Sequence, residues 1–304
     1  DLYVGSELAV SSLEQVCGPI PSGRPASTNT GYVEQDEAGT DGLALSDYDL
    51  IGSASRGTGM FGLNAIEELD LLYMSPSTTN FVPGPAAVLA AELYCRRRGT
   101  MLILDPPETW TNASEALKGV QDSGYANPDV LSYFPRAAMR GEEEGPSVAI
   151  GGAIAGLLCK LDRDCGPWED LDQQGFELSR ELLPALDISN NEAHILVKGG
   201  LNVIAGQTPG QTMVCGSVTL ARGSQFGDQL TSLTTRRICS HIRNGVDCVA
   251  RVAAFDSNAE AVSERVVADV REYMYALFDA GGLRTDKFLV ECDVHLGQEP
   301  NDLD

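Results

Sequence analysis

From about residue 69 the apolar and polar positions fall into a regular alternation of short apolar runs and helical stripes. "LDLLYMS" (69–75) predicts a buried strand. "GPAAVLAAELYCRRRG" (84–99) predicts a helix, with Pro85 in its first turn and Gly99 at its end. "MLILD" (101–105) is apolar until its last residue and predicts a second strand. "NASEALKGVQD" (112–122) predicts a helix, "VLSYF" (130–134) a third strand, and "SVAIGGAIAGLLCKLD" (147–162) a helix with small residues on one side. Strand and helix alternating in this order predict a parallel sheet covered by helices.

The second half changes character. "AHILV" (193–197), "LNVIA" (201–205) and "QTMVCGSVTLA" (211–221) read as short strands with Gly-rich breaks. A long helix is predicted over 229–246. Another starts at "SNAE", where Ser257 and Glu260 make a capping box. Val262, Val266, Val270, Met274 and Leu277 or Phe278 then form an apolar stripe at helical spacing. "AGG" (280–282) stops that helix, and "KFLVECDV" (287–294) predicts a final strand. Residues 1–40 are rich in Gly, Pro, Ser and Thr and read as a peripheral segment. The expected organisation is therefore an α/β domain over 41–190, built on a parallel sheet, followed by an α+β domain over 191–304.

Composition narrows the function classes. The chain has 304 residues, 43% of them hydrophobic, enough for a large core in two domains. No apolar run reaches the roughly 18 residues of a membrane span. The net charge is −23, from 44 acidic against 21 basic residues. A phosphate backbone would be repelled, so nucleic acid is not an expected partner. Eight cysteines occur and none forms C-x-x-C, which reads as reduced, mostly buried thiols made in a cytoplasm. Cys292 and His295 stand at metal-ligand spacing, but two ligands alone do not make a site, and no metal is expected.

"GTGMFG", Gly57 to Gly62, fits the dinucleotide-binding pattern letter for letter. Its context does not. The preceding "LSDYDLIGSASR" is too polar for a buried strand, and only "LNAIEE" separates Gly62 from the next apolar run. A Rossmann crossover needs more chain, so the stretch reads as a glycine-rich loop feeding a short helix. Asp105, at the end of a strand, could bind Mg²⁺ as a Walker B aspartate does, but no P-loop accompanies it. The histidines are 194, 241 and 295, and no spacing ties a serine to any of them. An α/β hydrolase-like or nucleotide-binding enzyme using Asp105 and the Gly57–Gly62 loop is the alternative reading.

The order of motifs along the chain says more than any one of them. "GTDGLALSDYD" (39–49) precedes "GLNAIEELDLLYMSP" (62–76), "ELYCRRRGTMLILDPP" (92–107) and "SYFPR" (132–136). Then come "PSVAIGGAIAGLLCKLDRDCGPWEDL" (146–171), "GGLNVIAGQTPGQTMVCGSVTLA" (199–221) and "LTTRRICSHIRNGV" (233–246). "FDSNAE" (255–260) and "LFDAGGL" leading to "FLVECD" (277–293) close the series. This series resembles the contractile tail sheath family of phages, R-type bacteriocins and related injection machines, from about residue 39 to 293.

The resemblance implies a first domain like subtilisin without its catalytic machinery, and a second domain that packs in the inner sheath layer. It implies no catalytic residue and no cofactor. Gly39, Asp41, Gly42, Asp105, Pro106, Asp162, Gly166, Trp168, Asn202 and Asn258 fall on family positions and are expected to be structural. Arg236, Arg237 and Arg243 are expected to face a neighbouring subunit or the tube. The implied partners are further copies of the chain, an inner tube protein, and baseplate and tail terminator proteins, with no membrane insertion. The implied location is a virion tail or contractile particle assembled in a cytoplasm. The family's N-terminal arm and closing C-terminal strand are not recognisable, so the chain is expected to lack its polymerising arms.

Overall fold

The computed structural model describes residues 45–75, 82–142, 145–173, 175–208, 211–221, 231–253 and 259–292. Its centre is a five-stranded sheet in the order β1-β2-β3-β6-β7. The strands are β1 (Leu71–Tyr73), β2 (Met101–Leu104), β3 (Val130–Phe134), β6 (Asn202–Thr208) and β7 (Gln211–Cys215). The first four run parallel, with Leu72 opposite Leu102, Ile103 opposite Leu131 and Tyr133 opposite Asn202. β7 closes the sheet antiparallel to β6. A separate antiparallel pair joins β4 (Ala137–Met139) to β5 (Leu182–Pro184).

The short apolar runs become central strands because both of their faces are covered. Leu102, Val130, Phe134 and Val203 enter one core cluster, with residues of α2 (Pro85–Arg98), α3 (Ala113–Ser123) and α5 (Asn190–Lys198). Met101, Ile103, Leu131, Tyr133 and Ile204 enter the other, with α4 (Gly151–Asp164) and Leu233 of α6 (Leu233–Ala253). Period-two alternation thus sorts each strand between two helical layers. α6 packs on α7 (Ala259–Asp279), where the Tyr273 hydroxyl donates to the His241 carbonyl.

Helix ends follow their sequence signals. Pro85 opens α2, and Gly99 closes it in the left-handed region at φ 67°. Asn112 caps α3 by accepting from the Glu115 amide. α1 (Asp47–Ile51) carries a capping box of Ser46 and Asp49. Asp47 reaches out of α1 to accept from the amides of Gly84, Ala86 and Ala87 at the start of α2. The "GTGMFG" stretch forms a turn and a 3₁₀ helix over Gly59–Ala65, as a loop feeding a short helix should.

Several expectations are corrected. "AHILV" is not a strand but most of α5, because Ser189 and Glu192 form a capping box one turn ahead of it. Residues 287–292 form no strand; they run beside α7, with Phe288 against Tyr275 at 4.9 Å and the Ser263 hydroxyl on the Cys292 carbonyl. α6 continues past 246 to Ala253. The thiols are not mostly buried: Cys159, Cys239 and Cys248 are exposed, and Cys95 is the buried one among the described cysteines. The sheet also runs across residue 190, where a domain boundary is expected, since β6 pairs directly with β3. The capping box at Ser257 and Glu260 and residues 293–294 lie outside the described residues.

Candidate functional site

Parallel sheets gather their sites at the carboxyl ends of strands, and Asp105 follows β2 there. Its carboxylate accepts three hydrogen bonds: from the Tyr73 hydroxyl at 2.7 Å, the Ile150 amide at 3.0 Å and the Gly151 amide at 2.8 Å. Asp105 thus sits at the start of α4, where free amides and the helix dipole favour negative charge. Burial, and after it the Asp105 charge, pushes the Tyr73 phenol well above its ordinary range. Gly151 is required here, because a Cβ at this position would lie 2.2 Å from the Tyr73 ring. Arg136 braces the same corner. Its Nη1 donates to the Pro106 carbonyl, and its Nε and Nη2 donate to Ser147.

Beside Asp105 lies a cavity of about 390 Å³, walled largely by apolar groups including Met74, Ile103, Trp110, Val120 and Leu220. None of Gly57 to Gly62 lines it. His241 instead sits on α6 between the rings of Trp168 and Tyr273, at 6.5 and 6.4 Å. It borders a smaller cavity of about 180 Å³ with Asp70, Asp162, Arg237 and Ser240. The Ser240 hydroxyl is buried without a hydrogen-bond partner, so no nucleophile–base bond is formed there. His194 lies on α5, and His295 is outside the described residues. Among the described residues, no group of three or more His, Cys, Asp or Glu is arranged to hold a metal ion. No helix among them is long and apolar enough to cross a membrane.

A second constellation joins α6 to the sheet layers. Arg236 pairs with Asp129, which directly precedes β3. Arg237 Nη2 donates to both carboxylate oxygens of Asp162 on α4. Arg243 donates to the Arg96 and Arg97 carbonyls at the end of α2, each at 3.0 Å. A cation there satisfies orphan carbonyls and suits the negative end of the helix. All three arginines are thus engaged inside the chain. One turn beyond Asp162, Gly166 adopts φ 103°, and a Cβ there would lie 2.4 Å from the Trp168 indole. Trp168 also covers Gly282, just after α7. Asp162, Gly166 and Trp168 therefore make one junction between α4, α6 and the end of α7.

Asn202 is fully buried on β6. Its amide donates to the Ser132 and Val218 carbonyls, and its carbonyl accepts from the Val218 amide. Gly39, Asp41, Gly42 and Asn258 lie outside the described residues. Sequence reasoning missed Asp129, Asp47 and Tyr73. Asp129 directly precedes an apolar strand and Asp47 opens a short helix, places where a carboxylate can serve a pair or a helix end; nothing local marks Tyr73.

No protein-family model and no curated protein matches the chain. Solved structures do. A chain of the anti-feeding prophage baseplate superposes with a TM-score of 0.60 at 19% identity, over 78% of this chain and 59% of that one. The PVC sheath complex of an extracellular contractile injection system, in its contracted state, gives 0.58 at 19%, over 74% and 60%. A sheath tail protein from Listeria innocua gives 0.51 at 13%, over 79% and 51%. The chain thus has the fold of contractile sheath proteins, and it spans about three fifths of the length of the first two.

Proposed function

We propose that this chain is a subunit of a contractile sheath. Copies polymerise around an inner tube in an extended, metastable lattice and then shift to a shorter, wider one, driving the tube through a target envelope. The fold likeness to sheath chains over about three quarters of this chain carries the reading. In this reading the work comes from the difference in interface free energy between two lattices. Even about 1–3 kcal/mol per subunit, the usual size of a coupling free energy, becomes large over many copies.

In this reading the sheet domain is a subtilisin-like core without catalysis. Its Asp105 is spent on a helix start, and the Ser240 hydroxyl beside His241 has no hydrogen-bond partner. The inner tube, baseplate and terminator proteins are the partners, and the particle assembles in a cytoplasm before use. Arg236 and Arg237 hold α6 against the sheet, so that a neighbour pulling on α6 pulls on the whole subunit. Arg243, held on the end of α2 but half exposed, is the one of the three whose outer side can also meet a neighbour or the tube.

Negative-stain electron microscopy of the full-length gene product tests this, alone and co-expressed with its inner tube protein. Tubes or stacked rings of uniform width are expected in at least one case. Dispersed particles in both would overturn the reading.

A further inference from the structure

We infer that the outward face of α2 is a docking surface for a second copy of this chain, which meets it with the acidic face of α7. The inference rests on the sheath reading and names one of its contacts. α2 inverts the usual pattern of a surface helix, which turns its charges outward. Its exposed residues from Pro85 to Leu93 are Pro85, Ala86, Leu89 and Leu93, all apolar. Leu89 is 57% exposed and Leu93 50%, whereas Glu92, the one charged residue in that stretch, is 8% exposed. The apolar row ends in two exposed cations, Arg96 and Arg97. A face of this kind is a contact waiting for a partner with an apolar centre and an acidic edge.

The same chain carries such a face. On α7, Glu264, Ala268, Glu272, Tyr275 and Asp279 are exposed along one side, with Arg265 and Arg271 at its two flanks. Tyr275 is 51% exposed and packs on Phe288, and Leu289, next in the chain, is 79% exposed. Arg96 and Arg97 can meet Glu272 and Asp279 while the leucines meet the tyrosine. At a net charge of −23, two copies repel each other except where one presents clustered arginines, which selects this orientation. Two different patches with opposite charge at their edges make a head-to-tail contact, and such contacts propagate as rings or open helices.

Sedimentation velocity and electron microscopy of the full-length chain, with its tube protein present, test the assignment. Leu89→Glu with Leu93→Glu should weaken self-association roughly tenfold or more, the loss of at least one contact of about 1.4 kcal/mol. Urea unfolding of the same variant should match the wild type, since both leucines are exposed. Arg96→Glu with Arg97→Glu should weaken association, and adding Glu272→Arg with Asp279→Arg should restore it. Wild-type association by both α2 variants would overturn the surface and leave the sheath reading standing. Failure of the charge swap to restore association would overturn the pairing with α7. A wild-type chain that stays monomeric with its tube protein would overturn both readings together.

Discussion

Arg237 on α6 holds both carboxylate oxygens of Asp162 on α4 through one guanidinium nitrogen, across 75 residues of sequence. The arginine side chain is 5% exposed and the aspartate 27%. Removing one partner of such a pair strands a buried charge, at about 3–5 kcal/mol, while replacing both with apolar groups costs far less. Arg237→Ala should therefore destabilise the chain by about 3 kcal/mol, the low end, because Asp162 is partly solvated. Arg237→Met combined with Asp162→Leu should recover most of that loss. Urea unfolding of the three variants checks both statements, and additive losses would contradict the pairing.

Asp105 yields a second expectation, because it serves α4 and Tyr73 together. Asp105→Ala leaves two amides and a hydroxyl without their acceptor. It should cost about 3 kcal/mol, at roughly 1–3 kcal/mol for each buried group left unmade. Asp105→Asn keeps an acceptor and loses the charge at the helix start, so about 1 kcal/mol is expected. Tyr73→Phe should cost about 1 kcal/mol. Thermal unfolding of these variants gives the order Ala, then Asn and Phe together. An Asn variant as unstable as the Ala variant would show that the charge matters more than the shape.

Much of this frame is legible in the residues, for identifiable reasons. "MLIL" and "VLSYF" are buried on both faces, so they read as continuous apolar runs, and Pro85 and Gly99 punctuate the helix between β1 and β2. "AHILV" misleads because a short apolar run such as Ile195 to Val197 looks the same in a strand and in a helix. The deciding signal, Ser189 with Glu192, lies just upstream. The ion pairs Arg236–Asp129 and Arg237–Asp162 are not legible at all. Their partners stand 107 and 75 residues away, and only the folded chain brings them together. Asp105 is legible as a residue at a strand end, but not as a helix cap, since the amides it serves belong to Ile150 and Gly151.

Glu92 gives a prediction about pH. Burial raises its carboxyl above the ordinary range, against the opposing effects of Asn127 and Arg96. The folded chain then holds this proton at a pH where the unfolded chain, with a glutamate near pKa 4.3, has released it. Its contribution to stability is full below about pH 4 and falls as pH rises through the folded value. Glu92→Gln removes that decline. Urea unfolding should show the variant gaining on the wild type as pH rises from 4.5 to 7.5. An equal difference at both pH values would show that Glu92 titrates normally.

The cysteines separate by reactivity as well as by burial. Cys95 is fully buried on α2, and burial pushes its thiol up to about 12. Its thiolate is therefore scarce and shielded, and thiolate is the reactive form. Cys239 and Cys248 are exposed on α6. Cys159 is exposed on α4, yet partial burial of its thiol, followed by the charge of Asp162, raises it. Under native conditions a soluble maleimide should label Cys239 and Cys248 first, Cys159 more slowly, and Cys95 only once the chain unfolds. Site-resolved mass spectrometry over a labelling time course reads this order directly. Early labelling of Cys95 would mean that α2 leaves the sheet in the native state. If the chain assembles as proposed, Cys95 should stay protected, and slower labelling of Cys159 or of Cys239 and Cys248 in the assembly would report contacts on α4 or on α6.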